Sequence, residues 1–174
     1  MVILIATIVL LLLLGAGAYN NLVTSKNTVK EAESTMGVYL KKRRDLIPNL
    51  VATVKGYAGH EKETFEEVIK LRNTSVGNFE VENKITKNVN KIMALAENYP
   101  ALKASENFKD LSAQLAKIEE DIAYARKYYN GTVKNYNNLV EKLPTALFAR
   151  LFGHSPKQMF EIKEEDKENV KVEF

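Results

Sequence analysis

The first 18 residues, MVILIATIVLLLLLGAGA, hold no charged side chain, whereas every charge of the chain follows them. Such a run predicts one apolar helix of about 27 Å, close to what the bilayer hydrocarbon needs. Beyond it the apolar positions become periodic. Leu22, Val29, Met36, Leu50 and Tyr57 keep a sevenfold phase, with Ala32, Tyr39, Leu46 and Thr53 between them and only Ser25 and Arg43 interrupting the seam. This predicts an amphipathic helix, with Pro48 either at a kink or in the first turn of a restarted helix capped by Asp45.

A second seam, Val81, Ile85, Val89, Ile92, Ala96 and Tyr99, predicts a helix that runs up to Pro100. A third, Phe108, Leu111, Leu115, Ile118, Ile122, Ala125, Tyr129, Thr132, Tyr136, Leu139 and Leu143, predicts a helix of about 35 residues ended by Pro144. Residues 73–80, rich in Asn, Thr and Ser and lacking periodicity, read as a loop. The expected fold is all-α: a transmembrane helix followed by an antiparallel, coiled-coil-like bundle of three to four long helices. The expected division is an anchor over 1–19, a bundle over 20–152 and a flexible charged tail over 153–174. From Glu161 that tail carries six acidic and three basic side chains, too many to bury.

Charge sets the orientation. No Lys or Arg precedes the apolar run, while Lys26, Lys30, Lys41, Lys42, Arg43 and Arg44 follow it. The positive-inside bias then predicts a single-pass plasma-membrane protein with a short external N-terminus and a cytoplasmic bundle. Ala16-Gly17-Ala18 has the form of a signal-peptidase site, so a cleaved leader is the competing reading, opposed by the missing basic n-region.

Candidate chemistry is sparse. The chain has no cysteine and two histidines, so thiolate sites and Cys nucleophiles are excluded. His60-Glu61 begins as a zincin motif, but Thr64 stands where the second histidine belongs. The Glu61 to Glu67 and Glu119 to Asp121 clusters lack the Glu-x-x-His of di-metal bundles, and no phosphate-binding glycine loop or nucleophile elbow occurs. No catalytic residue, metal or cofactor is expected. Lys41, Lys42, Arg43 and Arg44 form the one dense basic patch, a candidate contact for a protein partner or anionic lipid. On an upright helix Lys41 lies about 30 Å beyond the interface, so a lipid role requires tilt. With no aromatic side chains interleaved among these cations, no nucleic-acid partner is expected. The Tyr124 to Asn138 strip shares the phase of the seam at Tyr129 and Tyr136, which reads as packing rather than a ligand groove.

The strings YNNLV at 19–23, KKRRDLIPNLVATVKGYAGHE at 41–61 and YPALKASENFKDLSAQLAKIEEDIAYARKYYNGTVKNYNNLVEKLP at 99–144 resemble the LemA family of bacterial and archaeal membrane proteins. The chain departs from the family pattern at Glu33, Met36-Gly37 and Tyr39. The resemblance implies an N-terminal anchor, a cytoplasmic helical bundle, no catalytic residues to transfer and a setting beside membrane proteases and quality-control machinery. The functional expectation is a non-enzymatic, membrane-tethered interaction module. Its alternative is an envelope-organising protein that binds anionic lipid through Lys41 to Arg44. The narrow seams are compatible with one chain or a homo-oligomer.

Overall fold

The structure is a computed structural model that describes residues 1–58 and 62–161, the Lys62 side chain apart. Its elements among these residues are six helices: α1 (Val2–Lys55), α2 (Lys62–Arg72), α3 (Phe79–Ala96), α4 (Pro100–Ala104), α5 (Glu106–Glu141) and α6 (Thr145–Leu151). The all-α class is as the sequence predicts. The anchor and the first bundle helix are one element, however, because α1 runs 54 residues without a break at Pro48. A proline removes the N–H that would serve the carbonyl four residues earlier, here that of Arg44. That carbonyl instead accepts Arg72 Nε–H at 3.2 Å, so the loss is repaired from another helix.

The chain divides into two compact units, and α1 and α5 contribute to both. The first comprises Met1–Thr35 and Ala125–Phe160. Its buried side chains come from α1 (Leu22, Val29, Ala32), α5 (Tyr129, Val133, Tyr136), α6 (Ala146, Ala149) and Phe160. The second comprises, among the described residues, Met36–Tyr124 and Glu161. Its core gathers Ile47, Leu50 and Val54 of α1, Phe65 and Val68 of α2, Ile85, Val89 and Ile92 of α3, and Leu111 and Leu115 of α5.

The predicted seams hold at first and then slip by one residue. On α1, Leu40, Ile47 and Val54, and just past its end Ala58, are buried where Tyr39, Leu46, Thr53 and Tyr57 were expected. On α5, Val133 and Val140 are buried, and Leu143, past its end, is exposed. A helix has 3.6 residues per turn, so a strict 3.5-residue seam drifts around it unless the helices supercoil. The loop read over 73–80 is observed between α2 and α3 over 73–78, with Phe79 and Glu80 forming the first turn of α3. Asn78 caps α3 by accepting from the Glu80 and Val81 N–H groups, and Gly77 supplies a φ of +94°.

Within the stretch 153–174 expected as a tail, residues 154–160 run along α5, held by paired side-chain bonds described below. The remainder of the tail, 162–174, and His60-Glu61 lie outside the described residues.

Candidate functional site

The basic quartet is not one surface. Lys41 is exposed and pairs with Asp45 at 2.7 Å, and Lys42 lies over the Tyr39 ring at 5.4 Å. Arg43 and Arg44 are buried inside the second unit at 0% and 3% exposure. Arg43 occupies the sevenfold seam of α1, and Arg44 joins Leu40 and Ile47 on the seam after its drift. A lipid or partner contact drawn from this stretch therefore consists of Lys41 and Lys42.

Both guanidinium groups converge on Glu82 of α3, which is itself fully buried. Glu82 Oε2 accepts Arg43 Nη2 at 2.7 Å and Oε1 accepts Arg44 Nη2 at 2.5 Å. Arg43 also donates to Glu119 of α5 at 3.0 Å and to the Thr86 hydroxyl at 2.5 Å. Arg44 donates to the carbonyls of Arg72 at 3.2 Å, Ser75 at 3.1 Å and Thr74. One carboxylate thus faces two cations, with Glu119 as the second anion. Buried charges survive only when paired and hydrogen-bonded. This set ties α1, α3 and α5 together and fixes the loop after α2. Sequence reasoning missed Glu82, although its spacing to Ile85, Val89 and Ile92 places it on the buried stripe of α3.

In the first unit, the Tyr and Asn side chains of α5 form a ladder for residues 154–160. Asn130 donates to the Phe160 carbonyl at 2.9 Å and accepts its N–H at 2.7 Å. Asn137, seven residues on, does the same for Lys157 at 2.9 and 2.8 Å. Tyr129 donates to the Gln158 carbonyl at 3.0 Å. A side-chain amide carries a donor and an acceptor side by side, so an Asn can replace a neighbouring strand for an extended segment. Tyr129 and Tyr136 are thus packing and positioning groups. Burial raises the pKa of both phenols, with Glu33 adding to the effect at Tyr129, so both stay protonated at neutral pH.

The Tyr136 hydroxyl meets His154 Nδ1 at 2.9 Å. Burial, and then the charge of Lys26, hold His154 below its ordinary value near 6.5. The folded unit therefore binds this proton less readily than the unfolded chain. The stability tied to His154 is complete above its ordinary pKa, drains as pH falls through that value toward the lowered one, and then levels off. Thermal unfolding of the full chain between neutral and mildly acidic pH is expected to show this slope. A His154→Gln variant is expected to lose that part of it, and an unchanged slope in the variant would assign it to other groups.

Two apolar surfaces remain exposed in the first unit. One is α1 from Val2 to Leu14, whose large side chains are exposed all round the helix. The other is formed by Leu147 and Leu151 of α6, with Leu143 before the helix and Phe152 after it. Among the described residues no group of three or more His, Asp or Glu side chains converges as a metal ion would require.

The model of the LemA family matches residues 32–174. Among curated relatives, Protein LemA of Metamycoplasma hominis is 24% identical over 140 residues, covering 76% of this chain and 60% of that protein. Magnetosome protein MamQ of Magnetospirillum gryphiswaldense is 22% identical over 177 residues, covering 83% and 65%. Magnetosome protein MamQ 2 of Paramagnetospirillum magneticum is 29% identical over 73 residues, covering 42% and 27%. The chain thus spans at most about two thirds of the length of these relatives.

Proposed function

The chain belongs to the LemA family, and on that premise we propose that it is a membrane-tethered helical interaction module that performs no chemistry of its own. In this reading α1 crosses the plasma membrane through its first 18 residues, the short N-terminus lies outside, and the bundle presents its helix faces to proteins in the cytoplasm. The observation that carries the reading is the all-round exposure of Val2 to Leu14. A helix on a protein surface keeps a polar face toward water, whereas one apolar on every side belongs inside a large core or a membrane. No core encloses this run in the first unit, which supports lipid around it. The orientation is supported by Lys26 and Lys30, which follow the run within reach of the topology bias. The bundle's buried charges, Arg43, Arg44 and Glu82, are engaged in holding helices together, which supports a scaffold.

The absence of cysteine makes the test direct. Single-cysteine variants Val2→Cys and Tyr128→Cys are treated with a membrane-impermeant maleimide in intact and permeabilised spheroplasts. Val2→Cys is expected to label in both, and Tyr128→Cys, exposed on α5, only after permeabilisation. The reverse pattern overturns the orientation. Release of the protein by alkaline carbonate, or an intact mass lacking the first 18 residues, overturns the tether. Substrate turnover by the purified full chain overturns the non-enzymatic part.

A further inference from the structure

The helix α6 has its polarity arranged the wrong way for a helix in water. Its inward face is small, with Ala146 and Ala149 buried, while Leu147 and Leu151 face out at 64% and 75% exposure. Leu143, in the turn just before the helix, is exposed at 75%, and Phe152, just after it, at 40%. Leu147 and Leu151, four residues apart on α6, share one helical face. Surface apolar residues are ordinary when scattered, but a contiguous stripe marks a contact.

The position of α6 says what the contact is with. The Phe148 ring packs on Gly15, where an added Cβ would approach Cε1 to 3.2 Å. The Phe152 ring meets Tyr19 edge-on at a centroid distance of 5.0 Å. Between α1 and the segment from Pro144 to Phe148 lies a groove of about 310 Å³, lined by Leu13, Leu14, Gly17, Ala18 and Asn21 on the α1 side. The helix α6 is therefore docked at the last turn of the apolar run, where α1 changes from Leu and Ala to Tyr19, Asn20 and Asn21. By helical rise, Gly15 lies only about 6 Å before Tyr19. That is the depth at which amphipathic helices rest in the boundary between headgroups and acyl chains. Lys142 and Arg150 flank the stripe and are exposed, with stems long enough to bring their charges up to lipid phosphates.

We propose that α6, with Leu143 before it and Phe152 after it, is a second membrane contact: an interfacial wedge that lies in the inner leaflet beside the span, its Leu147-Leu151 face in the acyl region. The proposal rests on the reading of α1 as a membrane span. The occupant is lipid rather than a protein partner because the stripe continues the exposed apolar surface of α1 at the level where that surface ends. A tether alone leaves the bundle free to swivel on α1, whereas a wedge beside it gives the first unit a fixed orientation to the bilayer.

Spin-label depth measurement on the full chain tests this. Single-cysteine variants Leu147→Cys and Leu151→Cys, with Leu10→Cys and Tyr128→Cys as references, are labelled and reconstituted in vesicles of phosphatidylcholine and phosphatidylglycerol. Collision with oxygen, which enters lipid, is compared with collision with a water-soluble nickel chelate. The labels at 147 and 151 are expected to favour oxygen, at a depth between those of positions 10 and 128. If positions 147 and 151 match the aqueous Tyr128 site while position 10 is in lipid, the wedge fails and the span stands. If neither reagent reaches 147 and 151, protein covers the stripe and the wedge fails. If position 10 itself is aqueous, the span reading fails and the wedge with it.

Discussion

Glu82→Gln is expected to destabilise the second unit by about 3 to 5 kcal/mol, the usual cost of removing one partner from a buried ion pair. The substitution keeps the size of the side chain and changes only its charge and one oxygen. In the native unit Oε1 and Oε2 each accept a guanidinium N–H, from Arg44 and Arg43 respectively. Glutamine offers one acceptor, and its amide nitrogen points a second donor at a cation. Two positive charges would then share the core with Glu119 alone, which reaches only Arg43. Thermal unfolding of the full chain in detergent checks this, with Lys41→Gln and Lys42→Gln as controls expected within about 0.5 kcal/mol of the parent. Replacing the charges together, as Arg43→Met, Arg44→Met and Glu82→Met, is expected to cost less than Glu82→Gln alone, because no buried charge is stranded. An unchanged midpoint in Glu82→Gln would mean that this carboxylate does not hold the arginines.

The fate of the four cations marks how far the sequence could be read. The sevenfold spacing already placed Arg43 in phase with Met36 and Leu50, so its burial was written in the pattern. Arg44 was not legible by the same rule, because it joins the buried face only through the drift from 3.5 to 3.6 residues per turn. Local composition could not separate them from Lys41 and Lys42, since adjacent residues on a helix point in four different directions. Glu82 was hidden for another reason: the hydrophobic pattern is read from apolar residues, and the acid occupies a core position. The same limit applies to Pro48. Whether α1 passes through it depends on Arg72, which supplies the donor for the Arg44 carbonyl from a helix 28 residues away in sequence. Long elements fared better. The third seam predicted α5 nearly to its ends, because 36 residues supply many turns over which the period can be measured. The segment 154–160 carries no period, and what orders it is the pair Asn130 and Asn137 on α5.

That segment gives the second large expectation, concerning local opening rather than global unfolding. Phe160→Ala is expected to raise the rate at which trypsin cuts after Lys157 by on the order of a hundredfold. The Phe160 ring is buried, with the Arg126 guanidinium stacked 4.0 Å from its centroid, while its N–H and carbonyl are held by Asn130. Truncating a buried phenylalanine costs about 3 to 5 kcal/mol where the surrounding core must keep the cavity. Here the segment has another course: it can peel away from α5, so the loss in global stability is capped by what holds the segment down. The missing ring therefore appears chiefly as an increased population of the open segment. Nicking tracks that population when opening and closing are fast beside cleavage. Asn137→Ala removes two hydrogen bonds to Lys157, whose freed N–H and carbonyl can turn to water, so a rise of about tenfold is expected. Phe160→Leu, which keeps most of the apolar contact, is expected to lie below both. Appearance of the fragment ending at Lys157, followed by intact mass, gives the rates. Equal nicking in the parent and in Phe160→Ala would mean that the ladder of Tyr129, Asn130 and Asn137 holds the segment without the ring, and that the buried phenylalanine fills space without closing anything.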